Sequence, residues 1–323
     1  MIRHSNQPDV SIILTSWNVR ELLRESINSI YEMTRDVEYE IIVVDDASAD
    51  GTAAVVRKEF PNAKLLVNEK NLGYAKSNNL GAEISNGRYV LLLNSDTLLI
   101  NNAIKILIDF LDKHSDVGVC GGWLRNKDMT SQVSYGDFPS FYQAIFDALF
   151  LNDLFPGANF PNRGRYPNNK VSEPMEVDYI TGADILIRKE LIDRLGLFDE
   201  RFHIYCEETD FCYRVKYIAN MKVYFVPEAQ IIHLGGMSYK TLRKYQIQLQ
   251  YSSYNKFLTK HYGPIYSFCT RVLYAWQHFV FMVVRYLKYL LASSDKKAEK
   301  KNYWLNSWYV VRYSLAPNEQ LTG

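Results

Sequence analysis

The sequence predicts an α/β protein with a mostly parallel, doubly wound sheet. Short apolar runs alternate with segments of helical periodicity between Val10 and His114. The apolar runs are continuous, which is typical of strands covered on both faces. Polar residues follow the ends of these runs, at the edge where sheets of this class bind ligands. The 323 residues are enough for one large domain with an extension, or for two domains.

The first two strand–helix pairs come at the start of the chain. "VSIILTSWN" predicts a buried strand, and "VRELLRESINSIYEM" predicts the helix that follows it. The inner face of this helix is predicted to contain Leu22, Leu23, Ile27 and Ile30. "YEIIVVDDAS" predicts the second strand. The next helix lies in "SADGTAAVVRKEF", with Ser48 or Asp50 as its expected N-cap.

Two further pairs complete the predicted parallel part. "AKLLVNEKN" and "YVLLLNSDT" predict the third and fourth strands, and "YAKSNNLGAEIS" and "AIKILIDFLDKH" predict the helices after them. From Arg125 to Pro174 the pattern breaks, and "FPGANFPNRGRYPNNK" predicts a long surface loop that is mobile over a site. Regular structure resumes with "VDYITGADILIRKEL" and "KVYFVPEAQIIHLGG".

Composition narrows the class of protein and its surroundings. Hydrophobic residues make up 47% of the chain and aromatic residues 14%, so a large core can form. The net charge of +1 gives no reason to expect nucleic acid as a partner. The four cysteines lack metal-ligand spacing and are expected to be reduced thiols. Because the first residues lead into a strand without a long apolar segment, we expect no signal peptide and a cytoplasmic location.

Polar residues lie at the ends of the first two predicted strands. Thr15 and Asn18 follow the first strand, and Asp45 and Asp46 end the second. An acid at such a position can accept hydrogen bonds from a nucleobase or from a ribose hydroxyl. It can equally well cap the next helix, so both interpretations stay open.

The fourth strand ends in "NSD", which is a more specific pattern. Asn94 and Asp96 flank Ser95, and alternate residues of an extended chain point the same way. Two oxygen-bearing side chains therefore converge, as hard cations such as Mg²⁺ and Mn²⁺ require. A turn or a helix cap would use the same residue types.

Two other motifs are less specific. "NLGYAKSNNLG" contains Gly73, which allows close backbone approach, and Lys76, which can meet a phosphate. It matches neither a Walker loop nor a GxGxxG loop. His233 follows a strand in "IIHLGGMS". A lone histidine is usually hydrogen-bonded in a core, and it becomes a metal candidate only if the fold brings it to Asp96.

The segment "FHIYCEETDFCYRV" crowds three acids among apolar residues. Glu207 and Glu208 fall in the first turn of a predicted helix, where the helix dipole favours negative charge. Asp210 can pair with Arg214, four residues further on. These two statements already explain the acids structurally. A functional explanation also exists, because crowded, desolvated carboxylates have raised pKa values and can accept a proton near neutral pH.

The order of these motifs resembles glycosyltransferase family 2 with the GT-A fold, and within it the bacterial rhamnosyltransferase-like branch. The resemblance covers roughly residues 8 to 240. It rests on "SIILTSWN", "IIVVDDASADGT", "NLGYAKSNNLGAE", "YVLLLNSDT", "TGADILIRKE", "FDERFHIYCEETDFCYRV" and "IIHLGGMS". It implies an inverting transfer of a sugar from a nucleotide-sugar donor to a saccharide or lipid-linked acceptor, in the synthesis of cell-surface polysaccharide or glycolipid.

The resemblance also assigns roles to residues. Thr15 and Asp46 would hold the nucleobase, and "NSD" stands at the DXD position of the family, with Asn in place of the first Asp. Asp96 and His233 would hold a divalent metal ion, Mg²⁺ or Mn²⁺. The predicted donor-binding set is Thr15, Asn18, Asp45, Asp46, Gly73, Lys76, Asn94, Ser95, Asp96, Gly182, Ala183 and Asp184.

The acidic cluster stands at the general-base site of the family. Glu208 occupies the usual aspartate position and Glu207 is its rival, while the pair of Asp210 and Arg214 would lock the helix that presents them.

Two other functions fit the same type of sheet. A sugar-nucleotide pyrophosphorylase needs a Gly-rich loop after the first strand, and "TSWNVRELL" contains no glycine. A non-catalytic nucleotide- or carbohydrate-binding protein on the same fold stays the alternative.

Residues 241 to 323 are predicted to form a helical, aromatic and basic extension of a catalytic domain at 1 to 240. The longest uncharged run, from Val272 to Val284, is too short to span a bilayer. At 100° per residue, one arc of the helix contains Arg271, His278 and Arg285, with Ser267, Thr270 and Lys288 beside them.

Such a basic amphipathic helix can lie in a membrane interface, which would place the protein on the inner face of the plasma membrane. "NYWLNSWYVVRYS" is predicted to repeat the pattern, with Trp304, Trp308 and Val311 on one face. The alternative is that these helices pack on the catalytic domain or on a second subunit.

Overall fold

The computed structural model describes residues 7–155, 167, 171–235, 243–294 and 296–316. Apart from Phe155 and Pro167, the predicted mobile loop "FPGANFPNRGRYPNNK" lies outside the described residues. The chain forms two compact units. The sheet unit comprises residues 1–138, 163–203 and 207–238, and the helical unit comprises residues 139–162, 204–206 and 239–323. The division into domains at residue 240 stays a prediction.

The first part of the sheet unit consists of four parallel strands joined by helices. The elements are β1 (Val10–Ser16), α1 (Arg20–Met33), β2 (Tyr39–Asp45), α2 (Thr52–Glu59), β3 (Lys64–Val67), α3 (Tyr74–Glu83) and β4 (Tyr89–Leu93). The strands lie side by side in the order β3, β2, β1, β4, and every pairing among them is parallel. The predicted strand–helix order of this part is confirmed.

The next elements along the chain, up to His233, include the other five strands of this sheet, a separate pair of strands and two helices of the helical unit. They are β5 (Thr97–Leu99), α4 (Ala103–Lys113), β6 (Val117–Arg125), β7 (Tyr135–Gly136), α5 (Phe141–Ala148), α6 (Leu151–Leu154), β8 (Met175–Val177), β9 (Tyr179–Ile180), β10 (Asp184–Arg188), α7 (Lys189–Leu195), α8 (Glu207–Tyr217) and β11 (Lys222–His233). Within the described residues, nine strands form one sheet, which continues from β4 through β10, β6 and β11 to β5. β5, β8 and β10 run against the other six strands. The sheet is therefore mostly parallel, as the sequence predicts.

Burial explains why these segments fold as they do. In β1 the side chains of Ile12, Ile13 and Leu14 are all inaccessible, because helices cover both faces of the sheet. The predicted inner face of α1 is buried at Leu23, Ile27 and Ile30, while Leu22 is only half-buried.

The start of α2 differs from the expected one. Gly51 is the N-cap, with a φ of 86°, and no side chain caps the helix. Asp50 instead accepts hydrogen bonds from the N–H and the hydroxyl of Thr52, at 3.1 Å and 2.6 Å. The Asp50 carboxylate thus stabilises the turn before the helix, so neither expected N-cap was correct.

Asp184 does not take the place that the sequence predicts for it. Its side chain is 0% exposed, and its Oδ2 accepts a hydrogen bond from the N–H of Gly122 on the neighbouring strand β6. Oδ1 has no hydrogen-bond partner. A side chain enclosed in the sheet cannot contact a donor, so the assignment of Asp184 to the donor site is wrong. The polar residue type suggested a ligand contact, whereas the register of β10 turns the side chain inward.

The helical unit contains three long helices besides α5 and α6. They are α9 (Arg243–Tyr262), α10 (Pro264–Leu290) and α11 (Lys297–Leu315). Across the described residues, no helix has the length and apolar character needed to cross a bilayer. The residues predicted to share one face of α11 differ in exposure: Val311 is buried, whereas Trp308 is 44% exposed.

Helix α10 turns its polar arc inward. Arg285 Nη1 donates to Ser307 Oγ of α11 at 2.7 Å, and Ser267 Oγ donates to Asn255 Oδ1 of α9 at 2.7 Å. His278 Nε2 lies 3.4 Å from the Tyr251 hydroxyl. The expectation that the basic arc faces a membrane is therefore wrong for these residues. The outward face is apolar, and its exposed side chains include Phe268, Val272, Trp276, Phe279, Val283, Leu287 and Leu290.

The buried carboxyl of Asp184 makes stability depend on pH. Burial raises its pKa well above the ordinary value, so the folded chain holds this proton more tightly than the unfolded chain. Wild-type stability should therefore fall as the pH rises above about 4, by up to about 1.4 kcal/mol per pH unit. The variant Asp184→Asn lacks the charge, so its melting temperature should exceed that of wild type by a margin that grows between pH 5 and pH 8.

Thermal unfolding of both proteins across that range measures the effect. Asp36→Asn is the matched control, because Asp36 is exposed and already has a positive φ that asparagine tolerates. Its difference from wild type should not change with pH. A margin for Asp184→Asn that is constant from pH 5 to pH 8 would contradict the inference.

Candidate active site

The carboxyl end of β1 presents an unsatisfied hydroxyl. Thr15 Oγ1 is buried and has no hydrogen-bond partner. A buried hydroxyl that forms no bond costs free energy, and a ligand with a donor or an acceptor would remove that cost. Thr15 is thus placed and available for a ligand at this edge of the sheet.

Asn18 and Asp45 hold the neighbouring loops. Asn18 has a φ of 54°, a conformation that asparagine tolerates, and its Oδ1 accepts from the N–H of Ala49 at 2.8 Å. The N–H of Asn18 donates to Ser48 Oγ at 2.9 Å. Asp45 Oδ1 accepts from the N–H of Ser48 at 3.1 Å. Asn18 therefore fixes the loops after β1 and β2 to each other, and Asp45 holds the turn of the second loop.

Asp46 organises the loop that leads into α3. Its Oδ1 accepts from Asn68 Nδ2 and from the N–H of Leu72, both at 2.8 Å, and its Oδ2 accepts from the N–H of Gly73 at 3.0 Å. These bonds make Asp46 a scaffold for the turn at Gly73.

Gly73 must be a glycine for two reasons. Its φ is 87°, and an added Cβ would lie 2.3 Å from Nδ1 of His203. The imidazole of His203 therefore occupies the space of the missing side chain. Lys76, three residues further on, forms a salt bridge with Glu200 at 3.0 Å, and both side chains are more than 40% exposed. An exposed pair of this kind contributes at most about 1 kcal/mol.

Strand register brings Asp96 to His233. β5 and the end of β11 are antiparallel, with His233 opposite Thr97 and the N–H of Leu234 donating to the carbonyl of Asp96 at 2.9 Å. His233 Nε2 lies 3.4 Å from Asp96 Oδ1 and 3.4 Å from Asn94 Nδ2. Ser95, between Asn94 and Asp96, is buried. The structure thus joins two residues that are 137 positions apart in the chain.

Asp96 and His233 fit a divalent cation. A carboxylate oxygen and an imidazole nitrogen face each other, which is a donor pair that Mn²⁺ accepts. The described residues contain no group of three or more histidine, cysteine or acidic side chains that would enclose a metal ion. A cation held by this pair would therefore need oxygen atoms from a ligand or from water to complete its coordination.

Glu207 and Glu208 begin α8, after two residues of strained backbone. Tyr205 and Cys206 have φ values of 69° and 65°, which non-glycine residues rarely adopt. Glu207 is 4% exposed, and its Oε2 has no hydrogen-bond partner. Burial, and then the charge of Glu208, raise the pKa of Glu207 well above its usual range. Burial also raises the pKa of Glu208, whose side chain stays partly exposed.

The predicted pair of Asp210 and Arg214 is confirmed. Arg214 Nε donates to Asp210 Oδ2 at 2.9 Å, and Asp210 is fully buried. The guanidinium also donates to the carbonyls of Leu195, Gly196 and Leu197 at the end of α7. These bonds fix α8 to α7 and so hold the glutamates in place.

Tyr74 lies beside Gly182, close to Glu208, and no pattern in the sequence singled it out. Its hydroxyl donates to the carbonyl of Gly182 at 2.6 Å. A Cβ at Gly182 would lie 3.7 Å from this hydroxyl and 3.9 Å from Cγ of Glu208. Burial first, and then the charges of Glu207, Glu208 and Asp96, raise the pKa of Tyr74 well above its usual value. The negative charges of three carboxylates therefore all oppose ionisation of this one side chain.

Chemically, this arrangement can take up positive charge in two places. A partly exposed carboxylate with a raised pKa accepts a proton well, and the pair of Asp96 and His233 accepts a cation. Gly182 is half-buried and leaves space beside Glu208, while Ala183 is 4% exposed and its carbonyl accepts from the N–H of Asn94 at 3.0 Å. The structure links two groups of the predicted residues: Asn94, Asp96 and His233 in one, and Gly182 with Glu208 beside Tyr74 in the other.

Comparison with known proteins gives a consistent result. Residues 11–196, more than half of the chain, match the family model described as "Glycosyl transferase family 2". The N-acetylglucosaminyl-diphospho-decaprenol L-rhamnosyltransferase of Mycobacterium tuberculosis is 26% identical over 204 residues. That alignment covers 60% of this chain and 66% of the relative, slightly less than two thirds of its length.

One further relative matches a shorter part of the chain, and one solved structure matches nearly all of it. The UDP-Glc:alpha-D-GlcNAc-diphosphoundecaprenol beta-1,3-glucosyltransferase WfgD of Escherichia coli is 34% identical over 108 residues, which is 33% of this chain and 42% of that protein. The mannosyltransferase PcManGT of Pyrobaculum calidifontis, solved with GDP-Man and Mn²⁺, superposes with a TM-score of 0.60 at 15% identity. The superposition covers 98% of this chain and 89% of that one.

Proposed function

This chain belongs to glycosyltransferase family 2 and has the GT-A fold, and we propose that it transfers a sugar from a nucleoside-diphosphate donor to an acceptor hydroxyl with inversion. One observation carries the proposal. The Tyr74 hydroxyl bonds to the carbonyl of Gly182, which borders Glu208, and the N–H of Asn94 bonds to the carbonyl of the next residue, Ala183. A base and the pair of Asp96 and His233 therefore lie at neighbouring positions of the sheet unit. Direct displacement at an anomeric carbon needs both, one for the incoming hydroxyl and one for the leaving diphosphate.

The donor is held at the carboxyl ends of β1, β2 and β4. The free hydroxyl of Thr15 faces the nucleoside, and the loops fixed by Asn18, Asp45 and Asp46 form the walls. Asp96 and His233 hold a divalent cation, Mn²⁺ or Mg²⁺. When bound, that cation offsets the charge that develops on the diphosphate.

Glu208 is the general base. It is partly exposed and lies beside the space above Gly182, whereas Glu207 is almost fully buried. As the acceptor oxygen forms its bond to the anomeric carbon, the bond from that carbon to the diphosphate oxygen breaks. The proton of the acceptor hydroxyl passes to a carboxylate oxygen of Glu208, and the nucleoside diphosphate leaves with the electron pair.

The names of two relatives support a substrate class. The rhamnosyltransferase of M. tuberculosis and the glucosyltransferase of E. coli are both named for acceptors in which an N-acetylglucosamine is linked through diphosphate to a polyprenol. We therefore assign to this chain the transfer of a hexose, with rhamnose as the first candidate, to a lipid-linked saccharide. Such a step belongs to the synthesis of a cell-surface polysaccharide or glycolipid.

The outward face of α10 supports a location at a membrane. Phe268 is 56% exposed, Trp276 is 55% exposed and Leu287 is 53% exposed, on one side of a 27-residue helix. Aromatic residues of this kind sit at the interface of a bilayer. Exposed lysines lie at the end of α10 and the start of α11, namely Lys288, Lys296, Lys297 and Lys301. They would be attracted to anionic headgroups on the cytoplasmic side.

The assignment of the base is tested by two isosteric changes. Glu208→Gln keeps the size of the side chain but removes its basicity, so sugar transfer should fall by about 100-fold or more while donor binding survives. Glu207→Gln should cost much less, because its carboxyl is almost fully buried. Since burial raises the pKa of Glu208, the acidic limb of the kcat/KM profile should have its midpoint above the ordinary value of about 4.3.

Steady-state kinetics and calorimetric titration of the nucleoside diphosphate measure both quantities. The assignment fails if Glu208→Gln retains most of its turnover. It also fails if Glu207→Gln loses more turnover than Glu208→Gln.

The membrane location is tested by flotation with anionic liposomes. The triple variant Phe268→Ser, Trp276→Ser and Leu287→Ser removes exposed apolar groups only, so the fold should survive while the bound fraction falls by about tenfold or more. Binding of wild type should weaken with salt without vanishing, because the apolar contacts are not screened.

The matched control changes three exposed apolar residues of the sheet unit, Val67, Tyr217 and Ile218, to serine. This variant should float like wild type. If wild type does not bind liposomes, or if the α10 variant instead changes the oligomeric state in solution, the face belongs to a second subunit and the membrane proposal is wrong.

A further inference from the structure

A short hairpin after β6 reaches the candidate cation site through one side chain. The N–H of Asn126 donates to the carbonyl of Thr130 at 2.8 Å, and the N–H of Gln132 returns to the carbonyl of Leu124 at 2.9 Å. β6 also pairs with β11, with Arg125 opposite Ile232. The end of the hairpin is therefore held beside His233, and Gln132 is the residue that touches it.

In each hydrogen bond between side chains of the hairpin, the donor and the acceptor can be assigned, starting from Asp128. The Thr130 hydroxyl donates to Asp128 Oδ1 at 2.5 Å, and an ionised carboxylate can only accept. The Thr130 oxygen then accepts from Asn126 Nδ2 at 2.8 Å. This orients the Asn126 amide, so its Oδ1 accepts from Gln132 Nε2 at 2.7 Å.

A second acceptor fixes the same amide independently. Gln132 Nε2 also donates to the backbone carbonyl of His233. With its nitrogen committed to two oxygen acceptors, the amide must turn its Oε1 toward Nδ1 of His233, at 2.9 Å. A carbonyl oxygen accepts only, so Nδ1 of His233 carries the hydrogen.

The other ring nitrogen then has no hydrogen in the neutral imidazole. Nε2 lies 3.4 Å from Asp96 Oδ1, which is longer than an ordinary N–H···O hydrogen bond. The Asn94 amide nitrogen, also at 3.4 Å, can donate to a lone pair at this position. The two electron-rich atoms of His233 and Asp96 thus face each other, and a cation between them would bond to both.

We propose that Gln132 is the positioning residue that fixes His233 as its Nδ1–H tautomer and thereby presents the Nε2 lone pair to a divalent cation beside Asp96. In this proposal, the hairpin from Asn126 to Gln132 determines which ring nitrogen of His233 carries the hydrogen. The proposal rests on the proposed function for its biological meaning. Its test uses neither donor nor acceptor.

The tautomer can be observed in the metal-free full-length chain. Labelling with ¹⁵N-histidine gives imidazole signals from six residues, and a His233→Ala variant assigns the signal of interest. Long-range ¹H–¹⁵N correlation at pH 8 should show Nδ1 protonated and Nε2 unprotonated in wild type. Gln132→Leu should lose this pattern and populate the Nε2–H tautomer.

Cation binding is the second readout. Added Mn²⁺ should broaden the His233 signal before those of the other histidines, and the Mn²⁺ concentration at half effect should rise about 10- to 100-fold in Gln132→Leu. Gln132→Glu keeps an acceptor toward Nδ1, so it should keep the tautomer and stay within a few-fold of wild type. Met129→Ala changes an exposed, uncharged side chain of the same hairpin, and it should match wild type in both readouts.

Three results would overturn the proposal. They are an Nε2–H tautomer or a doubly protonated ring in wild type, an unchanged tautomer with unchanged Mn²⁺ broadening in Gln132→Leu, and selective broadening of a histidine other than His233. The first is measured on wild type, so it decides even if Gln132→Leu does not fold. A correct tautomer together with an absence of sugar transfer would instead disprove the proposed function and leave the role of Gln132 intact.

Discussion

The crowding of like charge around Tyr74 is the constraint on which the rest of the site depends. Glu207, Glu208 and Asp96 each act on its hydroxyl, and burial removes much of the water that would screen them. Arg214 neutralises a different acid, Asp210, of the same helix. The two glutamates keep no such partner in the salt bridges of the described residues, and burial raises the pKa of both. A proton on a glutamate relieves the cost of burying its charge.

The scaffold around the site restrains each member of this group separately. Asp46 holds the turn at Gly73, the ring of His203 fills the space above that glycine, and Tyr74 follows directly with its hydroxyl on Gly182. The antiparallel end of β11 brings His233 to Asp96. These contacts come from different elements of the sheet unit, and each one restrains a different member of the site. Preorganisation of this kind is what an electrostatic site requires.

The parts that the sequence predicted correctly are those controlled by local patterns. Continuous apolar runs predicted the parallel strands, and the spacing of four residues predicted the pair of Asp210 and Arg214. The errors concern orientation. Asp184 looked like a donor ligand because it is polar, but the pairing of β10 with β6 turns it into the sheet. The arc of Arg271, His278 and Arg285 was correctly drawn on a helix, yet periodicity alone does not say which face meets protein. Tyr74 and Gln132 were missed because their roles depend on contacts with Gly182 and His233, which lie 108 and 101 positions away in the chain.

The most direct test of the central claim is a thermal-shift measurement with a panel of nucleoside diphosphates, each with and without Mn²⁺, on wild type and Asp96→Ala. A ligand that binds only the folded chain raises its stability, by about 2.7 kcal/mol at one hundred times its Kd. We expect at least one nucleoside diphosphate to raise the wild-type Tm by several degrees with Mn²⁺ and by much less without it. Asp96→Ala should keep its fold and lose the Mn²⁺-dependent part of the shift. The proposed site is wrong if no nucleotide shifts wild type under either condition, or if Asp96→Ala shows the same Mn²⁺-dependent shift as wild type.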